Sequence, residues 1–413
     1  MIKKVKSADL KVGMFVHDIN VPWLEHSFAR NRFLIQNEKQ IEKILAINKL
    51  DVLIDTSRGA DATNAPTLQE SEIALMGKLL DIASEPAEEL PAHLGEQPTH
   101  HMDLLWQESS HVREEAIEVV GNILADARIG KQVDAKQAGA VVSSITDSVL
   151  SNDGTLVSLC RLKQRDKYTF QHSVSISALL VTFCHAMGGF SKDDLHDIGL
   201  GGLFHDIGKM KIPDEILNKP GSLTDHEYSI MMTHVLEGVS YLGESHILSQ
   251  PVMKIVSEHH ERFDGTGYPK GIARNAISLL GQMASIVDVY DAITSARVYH
   301  SAIEPVTALQ RIYEWGGKHF DETLVHSFIK GVGIYPVGSL VHMDSGRLAI
   351  VVRQGTESLL KPIVRVVFDT KAMQKLSPKD INLAAPSCQD HISGYEIPEN
   401  WGIDPFFYLG HAV

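Results

Sequence analysis

The stretch GLGGLFHDIGK at residues 199–209 decides the fold of the central part of this chain. His205, Asp206 and Lys209 stand there in an otherwise small and apolar segment. On a helix, residues three and four positions apart are neighbours, so all three side chains can point into one pocket. Because an unpartnered buried charge is costly, the segment predicts either bound metal or a tight network of ion pairs.

Further candidate metal ligands flank this stretch on both sides. They are His172, His234, the adjacent pair His259-His260, and Asp288. Imidazole and carboxylate groups at this density suit two Fe or Mn ions, and two ions about 3.5–4 Å apart are a known apparatus for cleaving phosphate esters. The pair at 259–260 can serve one ion if its helix ends there, and the glycines and proline in ERFDGTGYP (261–269) predict such an end.

The central region has an almost wholly helical pattern from about 104 to 335, with amphipathic runs at 104–129 and 135–152. Before it, residues 61–115 carry twelve acidic but only two basic residues, and four prolines interrupt 61–103. This composition predicts a solvated acidic linker over 61–103 with one short helix near 70–83. The helical domain is therefore predicted over 104–335, with its core at 140–335.

The two ends of the chain have a different pattern. Strand-like runs at 10–19 and 51–56 enclose an amphipathic helix at 37–49, which predicts a small α/β accessory domain over 1–60. From 336 to 413 a β-rich extension is predicted, with strands at 339–344, 347–352 and 361–369. The predicted fold class is mainly α, with a small α/β N-terminal domain and a short β-rich C-terminal extension.

Composition excludes several classes of function. The net charge of −14 disfavours a nucleic-acid polymer as the main partner, although it leaves a small nucleotide open. The sequence has no run of about 18 apolar residues, so no membrane span is predicted. The basic start lacks the continuous apolar segment of a secretion signal, so secretion is not predicted either. Three widely separated cysteines are typical of a reducing compartment, so a cytoplasmic location is predicted.

At these residues the chain resembles the HD-GYP family of bacterial cyclic di-GMP phosphodiesterases, a branch of the HD phosphohydrolase superfamily. The resemblance covers residues 140–335 and rests on YTFQHS (168–173), HDIGK (205–209), HHERFDGTGYP (259–269) and DVYDAITSARVY (288–299). It implies an all-helical HD-type phosphohydrolase domain. Residues 1–60 resemble the small domain of unknown function that is often fused in front of such modules.

The resemblance also implies how two metal ions would be held. One ion would be bound by His172, His205, Asp206 and Asp288, and the other by Asp206, His234, His259 and His260. Asp206 would bridge the two. Family members with three ions have a glutamate where this chain has Tyr168, so two divalent ions are expected here. Fe or Mn is the expected metal, with Ni or Zn as alternatives.

The implied activity is hydrolysis of cyclic di-GMP to pGpG, and further to GMP, by a bimetal-activated hydroxide. Asp206 and Lys209 would be the catalytic residues. The implied substrate-binding residues are Lys209, the loop residues Gly267, Tyr268 and Pro269, Asp291 as a contact to a guanine edge, Arg297 on phosphate, and His300. His300 departs from the family pattern, which has a basic residue at that position.

Three alternatives stay open at this point. The chain could be a cyclic-dinucleotide-binding sensor or adaptor with slow or no turnover, a phosphohydrolase of another cyclic dinucleotide, or a helical scaffold in which the ligand pattern is coincidental. Candidate partners besides cyclic di-GMP are signalling proteins that contact the GYP loop, and a second copy of the chain in a homodimer.

Overall fold

The computed structural model describes residues 1–20, 32–47, 51–84, 99–151, 154–161, 168–221, 223–244, 249–295, 303–355 and 358–409. Contacts divide the chain into two compact units, Met1–Lys78 with Ile212–Met232, and Leu79–Lys211 with Thr233–Val413. Helices predominate and each unit contains a small sheet, so the predicted mainly α fold with an α/β N-terminal part and a β-rich C-terminal part is confirmed.

The helices of the described residues are α1 (Glu38–Ile47), α2 (Leu68–Ser84), α3 (Thr99–Arg128), α4 (Ala135–Ser151), α5 (Thr155–Cys160), α6 (Tyr168–Met187), α7 (Lys192–Phe204), α8 (Asp214–Leu217), α9 (Asp225–Met232), α10 (His234–Glu244), α11 (Gln250–Glu258), α12 (Leu279–Thr294), α13 (Pro305–Trp315), α14 (Glu322–Val332), α15 (Pro398–Trp401) and α16 (Pro405–Leu409). The strands are β1 (Ile2–Lys6), β2 (Phe15–Asp18), β3 (Phe33–Leu34), β4 (Asp51–Asp55), β5 (Leu340–Met343), β6 (Arg347–Arg353), β7 (Ile363–Asp369), β8 (Gln374–Asn382) and β9 (Ile392–Glu396). Among the described helices, none is both long enough and apolar enough to cross a membrane.

The N-terminal sheet has the strand order β1-β4-β2-β3, with antiparallel pairs throughout. Helix α1 has Ile41 and Ile44 three residues apart on one face, and both are buried with Val16 and Ile54 of the sheet in one apolar core. The predicted strands at 10–19 and 51–56 correspond to β2 and β4, and the predicted helix corresponds to α1. Strand β1 was not predicted, because its IKKVK sequence lacks apolar alternation.

The helical unit is built around the close approach of α6 and α7. A β-carbon on Gly202 would lie 2.8 Å from Cα of Ser177, so the two helices pack backbone against backbone at this point. Helix α7 begins with a capping box between Ser191 and Asp194. The glycine-rich start of GLGGLFHDIGK thus brings the end of α7 against α6, which positions the candidate site.

The C-terminal sheet has the strand order β8-β7-β6-β5-β9 and is antiparallel. Its strands β5, β6 and β7 match the three predicted strands, whereas β8 and β9 were not predicted.

Within the predicted linker, α2 occupies 68–84 and α3 begins at Thr99, while 85–98 lie outside the described residues. The predicted domain limits of 1–60, 61–103, 104–335 and 336–413 stay predictions.

Candidate metal centre

The contact between α6 and α7 places His172 next to His205. His172 lies near the N-terminal end of α6, and His205 directly follows the last residue of α7. Their Nε2 atoms are 3.2 Å apart, while Nδ1 of His205 lies 2.8 Å from the carbonyl oxygen of Gly202. Two nitrogens that each lie about 2.1 Å from one ion are about 3.0–3.4 Å from each other, so this spacing suits a shared metal ion.

The HDIGK segment does not lie on one α-helix, so the geometry expected from helical spacing is wrong here. Helix α7 ends at Phe204, and a 3₁₀ turn over Ile207–Lys211 follows. A β-carbon on Gly208 would lie 1.9 Å from the carbonyl oxygen of His234, so this turn packs directly on the start of α10. Nζ of Lys209 nevertheless lies 2.5 Å from Oδ2 of Asp206.

The remaining predicted ligands come from α10, α11 and α12. His234 is the first residue of α10, and its Nε2 lies 3.4 Å from Nε2 of His259. Helix α11 ends at Glu258, as the glycine-rich segment after it predicts, so His259 and His260 lie at and beyond the helix end. Asp288 lies inside α12, with Oδ1 3.2 Å from Nε2 of His172.

The carboxylate of Asp206 lies at the centre of this cluster and faces a different set of histidines with each oxygen. Its Oδ2 lies 3.2 Å from Nε2 of His205 and 3.6 Å from Nε2 of His172. Its Oδ1 lies 3.2 Å from Nε2 of His234 and 3.9 Å from Nε2 of His259. Two buried groups of ligand atoms result, each within 4.8 Å, and both contain Asp206: one adds His172 and His205, and the other adds His234, His259 and His260.

The residues present fit divalent metal ions. Oδ1 of Asp206 is buried and has no hydrogen bond of good geometry from a described residue, although Nε2 of His234 lies 3.2 Å away. A buried carboxylate oxygen without a donor is costly, and a cation would compensate it. The imidazole and carboxylate donors that surround it suit Fe, Mn, Ni or Zn.

Two of the imidazoles, those of His259 and His260, are held in the neutral form that metal binding requires. Burial, with a smaller contribution from His205, lowers the pKa of His259 to about 3. Burial also lowers the pKa of His260 well below its usual value, with His259 adding to the effect. Burial likewise opposes protonation of His205, but Asp206 and Asp288 together outweigh burial and raise the pKa of that residue.

The two carboxyl groups are held ionised. Burial alone would raise the pKa of Asp206, but Lys209 and His205 hold it well below its usual value. Burial likewise opposes ionisation of Asp288, and the imidazoles around it, His172 first among them, hold its pKa well below the usual range. Both carboxylates are therefore available as anionic metal ligands at neutral pH.

The GYP loop contacts the cluster through Tyr268. The Tyr268 ring stacks on the His260 ring, with centroids 4.6 Å apart and planes inclined by 24°. Gly267 is required by close packing, because a β-carbon there would lie 2.4 Å from the carbonyl oxygen of His260. The loop residues Gly267, Tyr268 and Pro269 are all half-buried.

Two charged residues that the sequence did not single out precede this loop, and the first of them anchors it. Glu261 is buried, and its two carboxylate oxygens accept hydrogen bonds from the backbone N–H groups of Lys270, at 2.8 Å, and Ile272, at 3.1 Å. Arg262 is also buried and donates to Oγ of Ser285 at 2.7 Å. The sequence signal that could have identified Glu261 and Arg262 is their position: two adjacent charged residues lie directly between the ligand pair His259-His260 and the glycine-rich loop.

Some of the predicted substrate-binding residues lie at the cluster, and others lie outside the described residues. Asp291, predicted as a contact to guanine, is buried with Oδ2 2.6 Å from Nδ1 of His172. Arg297 and His300 lie outside the described residues, as does the side chain of Tyr168. The structure thus brings the seven predicted ligands and Lys209 together, and their roles stay predictions.

Two family models match the chain. One, described as an HD domain, matches residues 159–324, which include all seven predicted ligands. The other, described as a domain of unknown function (DUF3391), matches residues 2–138.

Three relatives show how far the similarity extends. A cyclic di-GMP phosphodiesterase from Pseudomonas aeruginosa is 37% identical over 403 residues, which cover 97% of this chain and 94% of the relative. A cyclic di-GMP phosphodiesterase from Vibrio cholerae is 43% identical over 131 residues, covering 30% of this chain and 27% of the relative. The 3′3′-cGAMP-specific phosphodiesterase 2 of Vibrio cholerae is 31% identical over 170 residues, covering 41% of this chain and 32% of the relative.

Proposed function

This chain belongs to the HD-GYP family of HD-domain phosphohydrolases, and on that premise we propose that it is a metal-dependent phosphodiesterase that hydrolyses cyclic di-GMP. The observation that carries the proposal is the carboxylate of Asp206. Its two oxygens each face a separate set of imidazoles, which is the arrangement needed to bridge two ions. The relative that matches nearly the whole chain has this activity by name.

The proposed ligand sets follow the two groups of side chains. His172, His205, Asp206 and Asp288 hold the first ion, and Asp206, His234, His259 and His260 hold the second. Two bound divalent ions would activate water for attack on phosphorus and neutralise charge on the phosphate oxygens. Fe or Mn is the proposed metal, because both accept mixed imidazole and carboxylate ligands.

Lys209 has the proposed role of a charge stabiliser and proton donor. Its ammonium group lies 2.5 Å from Oδ2 of Asp206, and its side chain is 20% exposed whereas that of Asp206 is 3% exposed. Nζ therefore lies at the edge of the buried cluster, where it can donate to a phosphate oxygen or to the departing ribose oxygen. The proposed products are linear pGpG and, after a second cut, GMP.

The proposed substrate contacts rest mainly on the family resemblance. Arg297 would bind phosphate, His300 would lie nearby, and the GYP loop would border the substrate site. The rigid anchoring of this loop by Glu261 supports a binding surface of fixed shape. Signalling proteins at the GYP loop, a homodimer and a cytoplasmic location are proposed on the same resemblance and composition.

The direct test is anaerobic purification followed by metal quantification and product analysis with cyclic di-GMP. We expect two ions per chain and formation of pGpG. Asp206→Ala should retain less than about a tenth of wild-type turnover, because loss of the shared ligand costs several kcal/mol of transition-state stabilisation. A folded Asp206→Ala variant with near-normal turnover would contradict the proposal.

A second candidate is hydrolysis of 3′3′-cGAMP, the substrate named for one of the relatives. Ions held by these side chains would act on phosphate and would not distinguish the bases, so the site is compatible with both substrates. Comparing kcat/KM for the two cyclic dinucleotides on the same metal-loaded protein separates them. A single-turnover assay with excess protein also separates a slow enzyme from a sensor that binds without cleavage.

A further inference from the structure

The two ring nitrogens of His172 face different partners. Nε2 faces the candidate metal donors, 3.2 Å from Oδ1 of Asp288 and 3.6 Å from Oδ2 of Asp206. Nδ1 lies 2.6 Å from Oδ2 of Asp291. Both members of this last pair are buried, with 3% of their surface exposed.

This contact fixes where the ring carries its proton. A neutral imidazole has one N–H donor and one acceptor nitrogen, and a carboxylate can only accept. Both ring nitrogens face a carboxylate, but Oδ2 of Asp291 lies 2.6 Å from Nδ1 whereas Oδ1 of Asp288 lies 3.2 Å from Nε2. The shorter contact favours the proton on Nδ1, which leaves the lone pair of Nε2 directed at the donor cluster. A carboxylate in this position also increases the basicity of a metal-binding histidine.

Other histidines of the cluster use a weaker orienting group. Nδ1 of His205 lies 2.8 Å from the carbonyl oxygen of Gly202, and Nδ1 of His259 lies 3.0 Å from that of Val256. Compared with these two, His172 is the histidine with an anionic acceptor. Asp288 and Asp291 lie three residues apart on one face of α12, so this helix contacts both sides of the His172 ring.

We propose that Asp291 is a positioning residue for the first metal ion: it holds His172 in the Nδ1–H tautomer and strengthens its Nε2 as a ligand. This assignment rests on the proposed metal-dependent function. It gives Asp291 a role that differs from the guanine contact implied by the family resemblance.

The test is titration of metal-free protein with Mn(II), followed by calorimetry and by metal analysis after gel filtration. We expect Asp291→Asn to weaken binding of the first ion by about 10–100-fold, the usual effect of losing a carboxylate behind a histidine ligand. The affinity for the second ion should change by less than about threefold, because His172, the histidine that Asp291 contacts, belongs to the proposed ligands of the first ion alone. Asparagine keeps the volume of the side chain, so a role in packing alone predicts wild-type binding of both ions.

Two further variants complete the design. Asp291→Ala removes the acceptor and should weaken binding of the first ion at least as much as Asp291→Asn does. If the asparagine variant does not fold, the alanine variant serves as the test. Thr294→Val is the matched control, because Thr294 is a buried residue of α12 whose hydroxyl donates to the backbone oxygen of Tyr290 at 2.8 Å. It should bind both ions with wild-type affinity, with folding checked by circular dichroism.

The outcomes separate this assignment from the proposed function. If folded Asp291→Asn and Asp291→Ala bind both ions like the wild type, or lose both ions equally, the assignment is overturned while the wild-type activity stands. If the wild type binds two ions and the variants lose the first, but cyclic di-GMP is not cleaved, the assignment holds and the proposed substrate is wrong. A wild-type protein that binds no Mn(II) overturns both.

Discussion

At the scale of single residues, Lys209 connects the buried cluster to solvent. Its ammonium group contacts Oδ2 of Asp206, yet part of its side chain remains exposed. Because the local dielectric constant beside the buried cluster is low, an ammonium group in this position would attract a phosphate strongly. The ammonium group has no lone pair, so Lys209 does not itself bind metal.

Lys209→Ala should reduce kcat by about 10²–10³-fold, the usual effect of removing one donor to transition-state charge. Two ions per chain should still bind at saturating Mn(II), because every ligand remains. Turnover of cyclic di-GMP and metal content measured on the same preparation check this. Lys211→Ala is the matched control, since Lys211 is an exposed residue of the same turn, and its kcat should be unchanged. Equal losses in the two variants would contradict the role of Lys209.

In the metal-free protein, His259 makes the free energy of unfolding decrease as the pH falls. Its pKa is about 3 in the folded state because of burial, against about 6.5 in the unfolded chain. Above both values the ring is neutral in each state. Between them the unfolded chain takes up a proton that the folded protein does not, so the free energy of unfolding falls as the pH decreases, by about 1.4 kcal/mol per pH unit.

Metal-free protein should therefore lose stability from about pH 6.5 downward, and His259→Asn should show a shallower slope. Urea denaturation of both proteins between about pH 4.5 and 6.5 measures the difference. His260, whose pKa is also lowered by burial, keeps part of the slope in the variant. Asp206 and Asp288 contribute only below about pH 4, where the carboxyl groups of the unfolded chain take up protons that the folded protein does not. Parallel slopes would show that His259 does not stay neutral in the fold.

At the scale of elements, the contact between the HDIGK turn and α10 depends on the absence of a side chain. Gly208→Ala would place a β-carbon 1.9 Å from the carbonyl oxygen of His234, so one backbone must move. We expect a loss of about 1–3 kcal/mol in the free energy of unfolding and weaker binding of the second ion. Urea denaturation and Mn(II) titration measure the two effects.

The matched control for this variant is Gly243→Ala. Gly243 also lies in α10, but a β-carbon there meets no atom within 4 Å. Because alanine favours the helix over glycine, this change should stabilise the protein by about 0.5–1 kcal/mol. If both variants were equally stable, the close approach at Gly208 would not be a constraint.

The GYP loop is held by a carboxylate rather than by apolar packing alone. Glu261→Gln keeps one acceptor oxygen but loses the charge that strengthens the bonds to Lys270 and Ile272. We expect faster hydrogen exchange at these two amides, a higher KM for cyclic di-GMP and unchanged metal content. Glu237→Gln, an exposed change on α10, should alter none of these. Unchanged exchange at Lys270 and Ile272 in the Glu261 variant would be evidence against the anchor.

Elements whose side chains follow a clear period could be predicted from the sequence, whereas elements made by backbone pairing could not. Helix α1 and strands β5 to β7 have apolar residues at helical or strand spacing, so local pattern was sufficient. Strand β8, QKLSPKDIN, is largely exposed and forms through its hydrogen bonds to β7. Similarly, adjacency in sequence indicated the ligand pairs, but the anchor at Glu261 and the contact of Asp291 with His172 depend on side-chain directions in the folded chain.

At the scale of the whole molecule, the cluster is formed by five separate segments: α6, the end of α7, the start of α10, the end of α11, and α12. Ions that bind the folded protein and not the unfolded chain stabilise it, by about 2.7 kcal/mol for one site at a hundredfold excess over Kd. Thermal unfolding with and without a chelator would therefore show a higher Tm for the loaded protein.

The wide separation of the ligands along the chain sets the order of assembly. A newly made chain offers at most two adjoining donors, at 205–206 and at 259–260, because the others are distant in sequence. We therefore expect the ions to bind only after the helices have come together. The proposed ions would therefore stabilise a fold that has already assembled, unlike the ion of a zinc finger, which drives the folding of its own small domain.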